Sequence, residues 1–420
     1  MNTGLPMGLP VQIRLPTSAP QLPELMSLSV LRKIEQCPRR WYLETASYPW
    51  VWPRDGYPER FSLAQIRGRI VHQSIRQIVR ALPAGDEAQC GCGDIHDLLR
   101  RMGGLSSIVL VQIERQLLAM STNPRMAAVE EEARRLLLRN RSKIRESIQT
   151  LLGGYSMSTT RSAVTASSKR RDPMRTGSTP REGAFSEHRV TCRDLGWVGV
   201  LDRIVYDHEA CEITEFKTSE ATAEHIEQLE TYCLLWLHAM RKPLDWASRV
   251  TLILRHKHGV VKIESPSTDR LRELQADLLH RSAVARGKVA QPLPESNPAG
   301  TGCSFCSVRH MCAPYWGSDL MKLQCEGPPN GEYQDTELRL LSQLAPTLWR
   351  TERLMYQDSE PREESLSLHR DIPELRRGQT IRVIDALARR SPSEADSRTE
   401  WRTSCWSEVF TLPESNFDKK

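Results

Sequence analysis

The 420-residue sequence lacks several things, and each absence narrows the field. No apolar run approaches the roughly 20 residues of a bilayer-spanning helix, so no membrane partner is expected. The N-terminus lacks the basic-then-apolar layout of a signal peptide, and the expected location is the cytoplasm. No GxxxxGK[ST] string occurs, which leaves out a P-loop motor. The 11 cysteines do not read as a disulfide framework, because nothing directs the chain to an oxidising compartment. Clustered thiols in a reducing compartment are more often metal or iron–sulfur ligands. Scattered ones (Cys192, Cys211, Cys233, Cys325, Cys405) read as small core or surface residues.

The length suffices for two or three domains with a substantial core. Hydrophobic residues make up 39% and mean hydropathy is −0.48, values of a chain with many solvated segments. The 58 basic and 52 acidic residues leave a net charge of +6, a mild lean toward polyanionic partners that decides nothing alone.

Residues 1–25 carry five prolines and two glycines without periodicity and read as a flexible arm. A helix is expected to enter near Ser29 and to lead into Cys37-Pro38-Arg39-Arg40. Arg67–Leu82 has helical apolar spacing, and His72 taken alone reads as a half-buried histidine on it. The pair Cys90 and Cys92 has no second pair nearby and carries little weight. Leu105–Leu152 reads as helices broken at Asn123-Pro124, and residues 156–183 as a polar linker. Strands are expected at Phe185–Thr191, Trp197–Tyr206 and Cys211–Lys217, followed by a helix over Ala221–Met240. A strand pair at Arg249–His256 and Gly259–Glu264 and a helix near Thr268–Arg286 complete an α/β core with a mixed sheet. Beyond Trp316, helices are expected in Thr336–Met355 and β segments in Gln379–Arg389 and Glu400–Leu412, with a small β-barrel as the expectation for this accessory part.

Two constellations carry chemistry. Alternation along a strand puts Glu215 and Lys217 on one face with Phe216 on the other, and antiparallel pairing brings Asp202 toward the same face. Two carboxylates and an ammonium suit a hard divalent cation in phosphodiester hydrolysis, whereas the same residues on an exposed hairpin would be ordinary. Gln228 and Tyr232, four apart on the next helix, share a face that can approach them. The second constellation is Cys303-x2-Cys306-x5-Cys312, three thiols in a compact loop for which Cys37 is the candidate fourth ligand. Spacing alone does not separate zinc, iron–sulfur and free thiols.

The string GVLDRI…ITEFKT…QLETYCLL resembles motifs of the PD-(D/E)XK nuclease superfamily in its RecB-like branch, and RGRIVHQSI resembles that branch's first motif. The cysteine order resembles the iron–sulfur staple of AddB-type nuclease domains and of CRISPR-associated RecB-like exonucleases. The resemblance covers roughly Ser27 to Tyr315. It implies a restriction-endonuclease-like fold over 26–316, a mixed central sheet flanked by helices. A helical insertion would occupy about 87–183; residues 317–420 have no counterpart in the resemblance and are expected from their own pattern to form a C-terminal accessory domain. His72, Asp202, Glu215 and the Phe216 carbonyl would hold Mg²⁺ or Mn²⁺, and Lys217 would position water. Gln228 and Tyr232 would support substrate or lysine, and Glu187 matches a recurrent acidic position. Cys37, Cys303, Cys306 and Cys312 would hold a 4Fe–4S cluster. Arg39, Arg40 and the stretch Lys169–Arg175 would track phosphates. The implied activity is metal-dependent hydrolysis of single-stranded or partly unwound DNA by a single-strand-preferring exonuclease. The setting would be repair, recombination, phage defence or CRISPR adaptation, with a helicase or another nuclease or defence subunit as partner. A catalytically inactive DNA-binding or interaction module, stapled by iron–sulfur or zinc, is the alternative.

Overall fold

A computed structural model describes residues 11–81, 95–153, 182–298, 301–317, 332–354, 362–390 and 399–413. Cys90, Cys92, Cys325 and the stretch Lys169–Arg175 lie outside them. The chain opens with a short strand, β1 (Val11–Gln12), and then α1 (Leu28–Gln36) and α2 (Pro38–Thr45). Ser27, not Ser29, caps α1, accepting the Val30 N–H, and the Cys37 sulfur caps α2 by accepting the Arg40 N–H. The amphipathic α3 (Leu63–Arg80) buries Ile66, Ile70, Val71, Ile75, Ile78 and Val79 and leaves Gln65, Arg69, His72 and Arg76 on its polar side.

The expected insertion is helical in α4 (Ile95–Arg101), α5 (Leu105–Ser121), α6 (Pro124–Ala127), α7 (Glu130–Arg139) and α8 (Arg141–Leu152). The break falls at Asn123, whose side chain caps α6 while Pro124 takes the first helical position, where its missing N–H costs nothing. These helices and α3 share one apolar cluster, and Phe216 is inserted into it. Strand alternation thus has a structural use: it drives Phe216 into the helical layer so that its neighbours Glu215 and Lys217 face the other way.

The central sheet has the order β2 (Gly183–Cys192), β3 (Trp197–Tyr206), β4 (Cys211–Phe216), β5 (Val250–His256), β6 (Gly259–Ile263). Between β4 and β5 the chain passes through α9 (Ala223–Ala239), and β4 and β5 are parallel while the other neighbours are antiparallel. Helix α9 packs its leucines and Trp236 on this sheet, and α10 (Thr268–Val289) lies beside α1 and α9. The short α11 (Ala313–Trp316) ends the cysteine segment.

The C-terminal part departs from expectation. Thr336–Met355, read as helical, is instead strand β7 (Tyr333–Ala345) and β8 (Leu348–Arg353), and the polar stretch after it contains β9 (Arg362–Ser367). With β10 (Thr380–Arg390) and β11 (Thr399–Arg402), these strands close a ring in the order β7-β8-β9-β11-β10 and back to β7. Leu338, Leu340, Trp349, Leu366, Ile381, Val383 and Trp401 fill it. Leucine, arginine, glutamine and glutamate favour helix in isolation, but the alternation of Leu338 and Leu340 into a closed barrel outweighs that preference. β10 also pairs with β12 (Glu408–Thr411), and β12 pairs in parallel with β1. Part of the proline-rich arm is therefore a strand of the C-terminal sheet, and Met26 forms a bridge to Trp197 at the start of β3.

Elements of the barrel and of the rest of the chain meet at a cluster of charges. Arg125 of α6 makes a two-pronged pair with Glu408 (2.7 Å at each prong), which also binds Arg60 at 2.8 Å. Arg309, between Cys306 and Cys312, pairs with Asp335 of β7 (2.5 Å) and Asp385 of β10 (2.9 Å). Burial works to raise the Glu408 carboxyl, yet Arg125 and Arg60 hold it below its ordinary value. Beside them His310 stacks on Phe410, with ring centroids 3.8 Å apart.

Candidate active site

The β3–β4 register pairs Arg203 with Thr214, and one step further along sets Asp202 opposite Glu215 on one face. An Asp202 carboxylate oxygen accepts the Phe216 N–H at 2.9 Å, which fixes its side chain across the strand end. Lys217 continues β4 by donating its N–H to the Arg255 carbonyl of β5, and its Nζ lies 2.7 Å from Glu215 Oε1. On the other side of β3, Ser186 and His188 pair with Arg203 and Leu201, so Glu187 falls opposite Asp202. Its backbone is left-handed (φ 52°), which interrupts the ladder at that point.

Helix α3 brings the nitrogen donors. His72 Nδ1 is 3.8 Å from Asp202 Oδ2, and Arg76, one turn later, reaches Glu187 at 3.5 Å. Helix α9 brings the amide and phenol expected from the sequence. Gln228 Nε2 donates to Glu215 Oε1 (2.9 Å) and to the Tyr232 hydroxyl (2.7 Å), using both its hydrogens. Tyr232 comes this close because residue 199 of β3 is glycine: a Cβ there would stand 2.9 Å from Tyr232 Cε1 and 3.0 Å from Cδ1.

Glu215 is 3% exposed. Burial first, then the facing Asp202, push its carboxyl up to about 8, against the pull of Lys217. Its second oxygen, Oε2, has no hydrogen-bond partner among the described residues. A buried carboxylate with an orphaned oxygen, set against another carboxylate, is a donor set that a hard divalent cation completes. The side chains as placed gather no group of three His, Cys, Asp or Glu at metal-holding distances among the described residues.

The four cysteines come from both ends of the nuclease unit into one neighbourhood. Burial, then the neighbouring Cys312 and Cys37, raise the Cys303 thiol, and burial pushes Cys306 up to about 12. Cys303 Sγ approaches the Asn297 and Pro298 carbonyls (3.8 and 3.6 Å), and the Cys306 N–H binds the Cys303 carbonyl. Arg39 and Arg40, expected to follow phosphates, are engaged internally: Arg39 donates to the Pro294 carbonyl, and Arg40 pairs with Glu44 at 3.0 Å. Arg39 thus ties α2 to the loop ahead of the cysteine segment, while the Arg40 pair lies within α2 itself. Arg76, which the sequence reading passed over, has a legible signal in its spacing four residues after His72. The Arg125–Glu408 pair, 283 residues apart, has none.

A mixed sheet with Asp202 and Glu215-x-Lys217 on adjoining strands, crossed by α9, is the architecture of a metal-dependent nuclease core. The family model of the PD-(D/E)XK nuclease superfamily matches residues 25–313, and the chain belongs to that superfamily. Membership implies nuclease-type activity supported by divalent metal, with DNA as the substrate. The match ends one residue after Cys312, so the barrel lies outside it. Among curated proteins none matches the chain. No helix of the described residues is long and apolar enough to cross a membrane.

Proposed function

We propose that the protein is a Mg²⁺- or Mn²⁺-dependent deoxyribonuclease that degrades single strands from their ends. The observation that carries this reading is the orphaned Oε2 of buried Glu215 facing Asp202, with the Lys217 ammonium 2.7 Å from its other oxygen. Asp202, Glu215, the Phe216 carbonyl and His72 would hold the cation. A cation there supplies charge neutralisation at the scissile phosphate and a lowered pKa for the attacking water. Lys217 orients that water and offsets charge developing on phosphate oxygens. Gln228 holds Glu215 Oε1 in place, and Tyr232 in turn holds Gln228, so neither rotates as charge moves. The cysteines Cys37, Cys303, Cys306 and Cys312 serve as a 4Fe–4S staple between the two ends of the nuclease unit. With no P-loop motif in the sequence, unwinding in repair, recombination or phage defence falls to a partner motor.

Asp202→Ala and Lys217→Ala should each abolish Mn²⁺-dependent loss of end-labelled DNA while the protein keeps its visible absorbance and its iron. Undiminished cutting by both variants would sink the reading. A colourless protein carrying zinc would replace the iron–sulfur assignment and leave the nuclease assignment standing.

A further inference from the structure

A groove of about 1400 Å³ runs between the segment 50–62 with the start of α3 and the barrel-side segments 369–374 and 403–410. That exceeds the ~300–1,000 Å³ of ordinary small-molecule pockets and suits a polymer. Two aromatic side chains offer their rings to it. Phe305, in the loop between Cys303 and Cys306, is 80% exposed. Trp52 is locked by its indole N–H to the Gly56 carbonyl (2.7 Å), with the Arg54 guanidinium 5.9 Å from its ring centre.

The groove carries charge of both signs, with Asp55, Glu59 and Glu374 among its acids. Of its bases, Arg60 and Arg125 are consumed by Glu408 and Asp385. Arg54 and Arg370 have no carboxylate partner among the described residues. One face of α3 runs from the groove toward the candidate active site. Gln65 and Arg69 line the groove, and His72 and Arg76 follow on the same polar side of α3. The seven residues from Gln65 to His72 advance ~10 Å along the helix, about three stacked nucleotides at ~3.4 Å each.

We infer that this groove carries a single strand of DNA to the site, with bases stacking on Phe305 and Trp52 and phosphates meeting Arg54 and Arg370. Unpaired bases have free faces for such platforms, whereas a duplex has already stacked its own. Small β-barrels are recurrent oligonucleotide platforms, and a barrel forms the far wall here. The inference rests on the nuclease reading for its substrate class.

The test is fluorescence anisotropy of the full chain with a labelled oligothymidine and with a duplex of equal length, in EDTA so that nothing is cut. Phe305→Ala and Trp52→Ala should each weaken oligothymidine binding about ten-fold, the range for loss of one stacking contact. Arg54→Glu with Arg370→Glu should weaken it further and flatten its salt dependence by about 0.7 log–log unit per lost phosphate contact, the single-strand value. Phe305 is exposed, so its truncation hollows out nothing, and an unchanged melting temperature controls for folding. Aromatic variants that melt normally and bind oligothymidine normally would overturn the groove, as would a duplex bound as tightly and with the same sensitivity. If the wild type binds through the groove but never cuts with Mn²⁺, the nuclease reading fails and the groove stands. Cutting by the wild type with full binding by the variants fails the groove alone.

Discussion

Gly199→Ala offers the sharpest test of how the site is held. The added methyl would sit 2.9 and 3.0 Å from two Tyr232 ring atoms and 3.3 Å from Leu235 Cδ1, where ordinary contact begins near 3.4 Å. The ring must retreat by about half an ångström. Tyr232 has little room, since its neighbours Cys233, Leu234, Leu235 and Trp236 are all buried. Overpacking of this kind costs about 1–3 kcal/mol. The displacement also reaches chemistry, because the Tyr232 hydroxyl accepts from Gln228, and Gln228 donates to Glu215. Urea unfolding should show the stability loss, and Mn²⁺-dependent degradation of a labelled single strand should show a fall in kcat of ten-fold or more with KM little changed. In a Gln228→Ala background the relay is already broken. Gly199→Ala should then still destabilise yet add almost nothing to the loss of activity, a non-additivity that double-mutant cycles resolve. Additive activity losses, or a Gly199→Ala protein equal to wild type in both assays, would refute the relay.

Mn²⁺ at 100 times its dissociation constant should stabilise the fold by ~2.7 kcal/mol, seen as a rise in melting temperature that Asp202→Ala removes; an equal rise in that variant would show the ion binding elsewhere. Glu408→Ala takes the carboxylate from Arg125 and leaves Arg60 with Asp385 alone. The cost should be about 3 kcal/mol, near the lower end for a broken buried pair because 18% of the Glu408 side chain is open to solvent; a loss under about 1 kcal/mol in calorimetry would refute the joint. Acid should loosen the same joint. Burial, then Arg125 and Arg309, hold His310 neutral well below its ordinary 6.5, so the unfolded chain takes up a proton that the folded one refuses. Stability is full above pH 6.5 and should fall by up to ~1.4 kcal/mol per pH unit below it. Glu408, held below its ordinary 4.5, adds a further loss as pH falls through 4.5 and lower. A urea midpoint that stays flat from pH 7.5 to 5.5 would contradict the His310 assignment.

The parts legible in the sequence are those written in local period. Glu215 and Lys217 declare a shared face by their spacing, and β pairing places Asp202 there. Gln228 and Tyr232 declare a helix face, and Asn123-Pro124 declares a break. Strands β7 and β8 were obscured because residues such as Leu341, Gln343 and Glu352 are good helix formers, and only closure of the barrel, five strands round, overrides that. Val11–Gln12 as a strand was illegible for a different reason. Its partner, Phe410–Thr411, lies almost a whole chain length away, and two residues have no period.

The bridge at Met26 and the pairing of β1 change what the proline-rich stretch between them does mechanically. From Ile13 to Met26 the chain spans thirteen residues, at most ~3.3–3.6 Å each, and Pro16, Pro20 and Pro23 stiffen it toward an extended form. It is a strut pinned at one end to the barrel and at the other to the central sheet. Together with the charge cluster at Glu408, it gives the barrel side a second attachment to the rest of the molecule, made of backbone hydrogen bonds and not of ion pairs.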